Sequence, residues 1–132
     1  MKYAVEKSEE YALVSLQEEN LNSLKAPELK SELILLKNAG NKNLILDLSA
    51  VKYVDSSGLS AILTGNRLWT EEGGQFVLTG VEHPSVKTLI SISRLDSVLD
   101  IKENLEQAVK WVMMQALRSQ LENETPAEED EL

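Results

Sequence analysis

Few residues in this chain carry switchable or reactive chemistry, and the densest group of them is the run Asp55-Ser56-Ser57-Gly58-Leu59. Two adjacent hydroxyls behind a carboxylate can take up a phosphate or cap a helix. Leu44-Ile45-Leu46, upstream, reads as a fully buried strand, and Leu59, Ile62 and Leu63 follow at helical spacing. Asp55, Ser56 and Ser57 therefore stand at a helix entrance, where unpaired N–H groups and the positive end of the helix dipole favour a side-chain oxygen or a phosphate. Local physics leaves two readings open: plain capping by a hydroxyl, with Gly58 as a tolerated first-turn residue, or a modification site.

Other chemical constellations lack parts. The single histidine, His83, lies between Glu82 and Pro84, a position suited to a loop or a helix cap, and there is no cysteine. Disulfides, thiol catalysis and cysteine-ligated metals are excluded, and no metal set can be completed. Neither Gly-x-Ser-x-Gly nor a phosphate-binding loop with its lysine is present. Ser56 has no neighbouring base to activate it, so a Ser-His-Asp hydrolase is excluded and the chain reads as a non-enzyme without a cofactor. Asp47 superficially resembles the phosphoacceptor aspartate that ends a strand in response-regulator receivers. The paired acidic cluster and the late Lys-Pro of those domains are missing, so Asp47 is expected to satisfy nearby backbone donors instead.

The elements that must position the Asp-Ser-Ser run alternate along the chain. Tyr3-Ala4-Val5 and Tyr11 to Leu16 are strand-like, joined by a polar turn at Lys7-Ser8-Glu9-Glu10. Gln17 to Lys25 reads as a polar loop carrying Leu21 and Leu24. Pro27 and Glu28 suit a helix start, Leu29, Leu33 and Leu36 share one face, and Gly40 can end it. Leu44 to Leu48 is the central strand, and the second helix runs from Ser57 to about Glu71, ended by Gly73-Gly74. Phe76-Val77-Leu78 is a further strand, Pro84 opens a short helix, and Val98-Leu99 is expected as a small last strand. From Lys102, the spacing of Leu105, Ala108, Val109, Val112, Met113, Ala116, Leu117 and Leu121 predicts a long amphipathic helix. It either lies wholly along the sheet or offers its distal half, Met113, Met114, Ala116, Leu117 and Trp111, to a partner or a second copy. The sum is an α/β architecture, a small mixed sheet packed with about four helices.

The 132 residues suffice for one domain with a modest core, and 42% are hydrophobic. Neither a leader pattern nor an apolar run near the ~20 residues of a membrane span is seen, which predicts a cytoplasmic protein without membrane insertion. Thirteen basic against twenty-two acidic residues give a net charge of −9, which argues against direct nucleic-acid binding. Six of those nine charges fall in the last dozen residues, Leu121 to Leu132. The expected division is therefore a domain over 1–121 and an acidic disordered tail over 122–132.

Asp47-Leu48-Ser49, a loop of spaced apolar residues, and Asp55-Ser56-Ser57-Gly58-Leu59 together resemble the STAS family, the sulfate-transporter and anti-sigma factor antagonist domains. The order of elements agrees with that fold. The resemblance implies a stand-alone anti-sigma factor antagonist, a binding switch that regulates transcription. Its unphosphorylated form would capture an anti-sigma factor with serine kinase activity, phosphorylation of Ser56 would reverse capture, and a serine phosphatase would reset it. Asp55, Ser57 and Gly58 would form the switch loop. The capture surface would join Leu59 to the Glu19 to Leu24 loop, with Leu21 and Leu24 as apolar contacts and Asn22 or Ser23 as hydrogen-bonding groups. STAS domains of similar appearance also serve as constitutive subunits or scaffolds of transport and signalling complexes, where Ser56 would be only a cap. A homodimer through the last helix is a further expectation.

Overall fold

The computed structural model describes the backbone of residues 1–130 and the side chains of residues 1–122. In chain order it holds β1 (Tyr3–Lys7), β2 (Ala12–Leu16), β3 (Asn20–Leu21), α1 (Ala26–Asn38), β4 (Leu44–Asp47), β5 (Tyr53–Val54) and α2 (Ser56–Thr70). There follow β6 (Phe76–Thr79), α3 (Pro84–Ile92), a 3-10 turn (Leu95–Ser97), β7 (Asp100–Lys102) and α4 (Leu105–Asp130). The main sheet has the order β1-β2-β4-β6-β7. The polar turn makes β1 and β2 antiparallel, whereas β2, β4, β6 and β7 are parallel because a helix or long connection returns the chain each time. The α/β fold with a mixed sheet and four helices is thus the one expected.

Alternation along the strands divides the core in two. Ala12, Val14 and Leu16, Leu44 and Leu46, and Phe76 and Leu78 face the larger layer, packed with α1, α2 and α3. Leu13, Ile45 and Val77 point the other way, against Ala108 and Val112 of α4. Leu29, Leu33 and Leu36 form the buried stripe of α1, as their spacing predicts. In α2, Gly65 lets the helix approach the sheet: a Cβ there would lie 2.5 Å from the Phe76 ring. Each layer holds one tryptophan. Trp69 is fully buried in the larger layer beside Phe76 and donates its Nε1–H to the Asn41 carbonyl at 3.0 Å, while Trp111, half-buried on α4, has the Lys102 ammonium 3.9 Å from its ring centre.

Three boundaries differ from expectation. Gln17 to Lys25 is not all loop, because β3 forms within it and pairs with β5, which the spacing also misses; two-residue strands are too short to show alternation. The last strand is Asp100–Lys102, since the segment before it turns as a 3-10 helix and leaves Val98 exposed. Finally, α4 continues past Leu121. Its backbone is helical to Asp130, through most of the acidic stretch expected to be disordered; residues 131 and 132, and all side chains from 123 on, lie outside the described residues.

Twenty-six helical residues span about 39 Å at ~1.5 Å each, far more than the sheet needs. Among the described side chains of α4 the last buried one is Val112, and Met113, Met114, Leu117 and Leu121 are exposed. The two halves of the stripe should therefore respond differently to truncation of a side chain. Val112→Ala should cost about 1–3 kcal/mol of stability in urea unfolding, whereas Leu117→Ala should cost less than about 0.5 kcal/mol. Equal losses would show that the distal half is packed as core.

Candidate functional site

The Asp-Ser-Ser run is positioned by a small sheet of its own. After β4, Asp47 Oδ1 accepts from Ser49 N–H at 2.9 Å, the backbone-satisfying role expected of it. Leu48 and Val51 then sink into the core, and Lys52 and Tyr53 donate their N–H groups to the Glu19 carbonyl. β5 pairs with β3 in parallel, Asn20 opposite Tyr53 and Leu21 opposite Val54. One residue on, Asp55 N–H donates to the Leu21 carbonyl at 3.2 Å. The chain thus enters α2 already bound to the loop before α1.

Asp55, extended at φ −97° and ψ −174°, is the cap of α2. Its Oδ1 accepts from Gly58 N–H at 2.9 Å and its Oδ2 from Ser23 N–H at 3.2 Å, so one carboxylate joins two loops. The hydroxyl-cap reading is thereby corrected. Ser56 and Ser57 are the first two residues of the helix, where the carboxylate of Asp55 has already taken the third N–H. The Ser56 side chain is exposed, and its hydroxyl has no hydrogen-bond partner among the described residues.

Gly58 is buried for a steric reason. A Cβ there would lie 2.4 Å from the Leu21 carbonyl oxygen and 2.8 Å from Val54 Cγ1, so only glycine lets α2 close on the β3–β5 pair. That packing also corrects the expectation for Leu21: at 1% exposure it is a core residue and offers a partner nothing. Leu24, by contrast, is 79% exposed. It rides on a turn in which Asn22 Oδ1 accepts from Leu24 N–H at 3.1 Å, which fixes the Asn22 amide on the loop with its Nδ2 donors unengaged among the described residues, while Ser23 is exposed beside it. Leu59 is half-buried. Leu24, Ser23, Ser56 and Ser57 therefore share one end of the molecule.

Two features of this end carry no signal in the sequence. Ser23, Ala26, Pro27 and Lys30 of the α1 side face Ser56, Ser57 and Ser60 of α2 across a shallow depression of about 280 Å³. On the other flank the Tyr53 and His83 rings lie 5.2 Å apart, and His83 caps α3 by accepting from Ser85 N–H at 3.2 Å, the capping role expected of it. Lys25 Nζ donates to Glu18 at 2.9 Å, which holds the Glu18 carboxyl below the usual carboxylate range. A lowered folded value adds stability above the unfolded pKa, and that contribution is lost as pH falls through the lowered one. Among the described residues no His, Cys, Asp or Glu cluster suits a metal ion, and no helix is long and apolar enough to cross a membrane.

The model of the STAS domain family matches residues 2–108, so the chain belongs to that family. A curated relative is BtrV of Bordetella bronchiseptica, by name an anti-sigma factor antagonist, which is 28% identical over 88 residues covering 67% of this chain and 75% of its own. Among solved structures, a serine-to-glutamate variant of RsbS from Moorella thermoacetica is similar at a TM-score of 0.73 and 25% identity, over 88% of this chain and 98% of that one. SpoIIAA of Bacillus in its phosphorylated form is similar at a TM-score of 0.65 and 18% identity, over 84% and 99%.

Two substitutions test the assembly of the helix entrance. Gly58→Ala should cost about 1–3 kcal/mol, because a backbone carbonyl blocks the added methyl. Asp55→Ala should cost about 0.5–2 kcal/mol and quicken hydrogen exchange at both Gly58 and Ser23 amides, since both lose one acceptor. Faster exchange at Gly58 alone would mean that the carboxylate does not join the two loops.

Proposed function

We propose that this STAS protein is an anti-sigma factor antagonist controlled by phosphorylation of Ser56. The observation that carries the reading is the contrast between the two groups at the helix entrance: Asp55 has both oxygens engaged in structure, while the adjacent Ser56 hydroxyl is exposed and unengaged. A hydroxyl with no structural duty can be modified without loosening the fold. The antagonist naming of BtrV supports the same role.

The partner is an anti-sigma factor that is also a serine kinase. It transfers the γ-phosphoryl group of ATP to Ser56 Oγ, breaking the bond to the leaving ADP, while the hydroxyl proton passes to a base of the kinase. A serine phosphatase reverses the change by hydrolysis, returning the hydroxyl and inorganic phosphate. Use of ATP places the exchange in the cytoplasm. Phosphorylation adds about −1.5 to −2 charges and three acceptor oxygens next to Asp55. Solvent and the first-turn N–H groups of α2 tolerate that charge in the free protein, but a dry interface over Leu24, Ser23 and Leu59 desolvates it. Capture is then lost while the fold stays.

Ser56→Ala should fold with little loss of stability, abolish phosphorylation and keep capture, whereas Ser56→Asp should weaken capture. Both are read by pull-down from the native host with phosphosite mapping and by calorimetric titration of the partner so found. Phosphate on Ser57 with Ser56 empty would defeat the residue assignment, and capture indifferent to Ser56→Asp would leave the constitutive-subunit reading. Leu24→Asp should lower affinity at least about tenfold if Leu24 anchors the interface; an unchanged affinity in the folded variant would remove it from the surface.

A further inference from the structure

We propose that Lys30 of α1 is the internal counter-ion of phosphorylated Ser56, so that the phosphoserine folds into the α1–α2 depression instead of pointing at the partner. This rests on Ser56 being the acceptor and concerns what the fold does with the phosphate afterwards. Three lysines lie around the helix entrance, and two are already paired: Lys25 with Glu18 at 2.9 Å and Lys52 with Glu19 at 3.2 Å. Lys30 has no carboxylate partner among the described residues. Its ammonium donates instead to the neutral Ser60 hydroxyl at 3.2 Å.

Ser60 is four residues after Ser56, so the two side chains share a face of α2 with Cβ atoms about 5–6 Å apart. Lys30, Ser56 and Ser60 all line the same depression, with Ser23, Pro27 and Ala26 as its floor and rim. A phosphate on Ser56 Oγ extends toward the ammonium that Ser60 now holds. The flexible stem of lysine closes the remaining gap, and a charge-assisted bond to a phosphate oxygen replaces a weaker one to a hydroxyl. Asp55 does not compete for the ammonium, because its oxygens are directed at Gly58 and Ser23.

The consequence is local: phosphorylation adds a charge, engages the cation opposite it and bridges α1 to α2 across the depression. A partner then loses both the bare hydroxyl and an ammonium that had no carboxylate to neutralise it.

The test installs phosphoserine at position 56 by genetic encoding, so that it does not depend on which residue a kinase selects. The second ionisation of that phosphate, near 6 in the free amino acid, is followed by phosphorus NMR in the full chain. A neighbouring cation favours the dianion, so Lys30→Ala and Lys30→Gln should each raise this pKa by roughly 0.5 or more, and Lys30→Arg should restore most of it. Lys52→Ala, which removes an already paired lysine of the same region, should leave it unchanged. Equal titration of the native and Lys30→Ala chains would overturn the proposal. So would equal shifts in Lys30→Ala and Lys52→Ala, which would mean a diffuse charge effect. If a native kinase is found to modify Ser57, the acceptor reading fails while this titration still stands or falls by itself.

Discussion

The constraint on which the molecule rests is the double burial of β4. Leu44, Ile45 and Leu46 are all wholly buried, yet in a strand neighbouring side chains point to opposite faces. Both faces of the strand must therefore be covered, and its flanking strands, β2 and β6, follow the same alternation. A single helix layer would leave Ile45, Leu13 and Val77 in water, about 1.5–3 kcal/mol apiece for a fully buried aliphatic side chain. With overall stabilities of only ~5–15 kcal/mol, such a domain would be marginal. α4 is the cover that prevents this, although among its described residues only Ala108 and Val112 are fully buried.

Because β4 is held on all sides, its C-terminal end is a fixed platform, and the connection to the Asp-Ser-Ser run begins just beyond it. The connection to α2 is anchored by Leu48 and Val51 and stitched to the loop before α1 through β3 and β5. At the end of this chain of restraints stands an exposed serine, and two residues later a glycine with no room for a side chain. Rigidity and availability are thus separated by two residues. Structure is assigned to Asp55 and Gly58, and the exposed Ser56 hydroxyl between them is left without work, an arrangement suited to a signal carried by charge more than by rearrangement.

What the sequence made legible follows from length and period. The central strand, the stripe of α1 and the long amphipathic α4 each carry several residues in phase, and the Asp-Ser-Ser-Gly run was readable because its residue types are distinctive. β3 and β5 were not, since two residues contain no period. Their absence from the reading is why Leu21 passed for a contact residue: only when it pairs with Val54 and roofs Gly58 does its burial follow. The identity of the cap was likewise out of reach, because Asp, Ser and Ser are all good caps and only backbone geometry distinguishes them. Lys30 carries no motif at all. It lies on another helix, 26 positions before Ser56, and becomes relevant through the packing of α1 on α2.

The distribution of tryptophan has an optical consequence. One indole belongs to the three-helix layer and is sealed from water, and the other rides on α4 under a lysine ammonium, so the two layers carry separate intrinsic chromophores. α4 is held by a much smaller apolar cluster than the helices opposite, and weakly held elements open before the whole domain does. Release of that helix would change the emission of Trp111 while Trp69 stays dark to the event. The fluorescence of the unlabelled chain can thus distinguish peeling of one layer from loss of the entire fold.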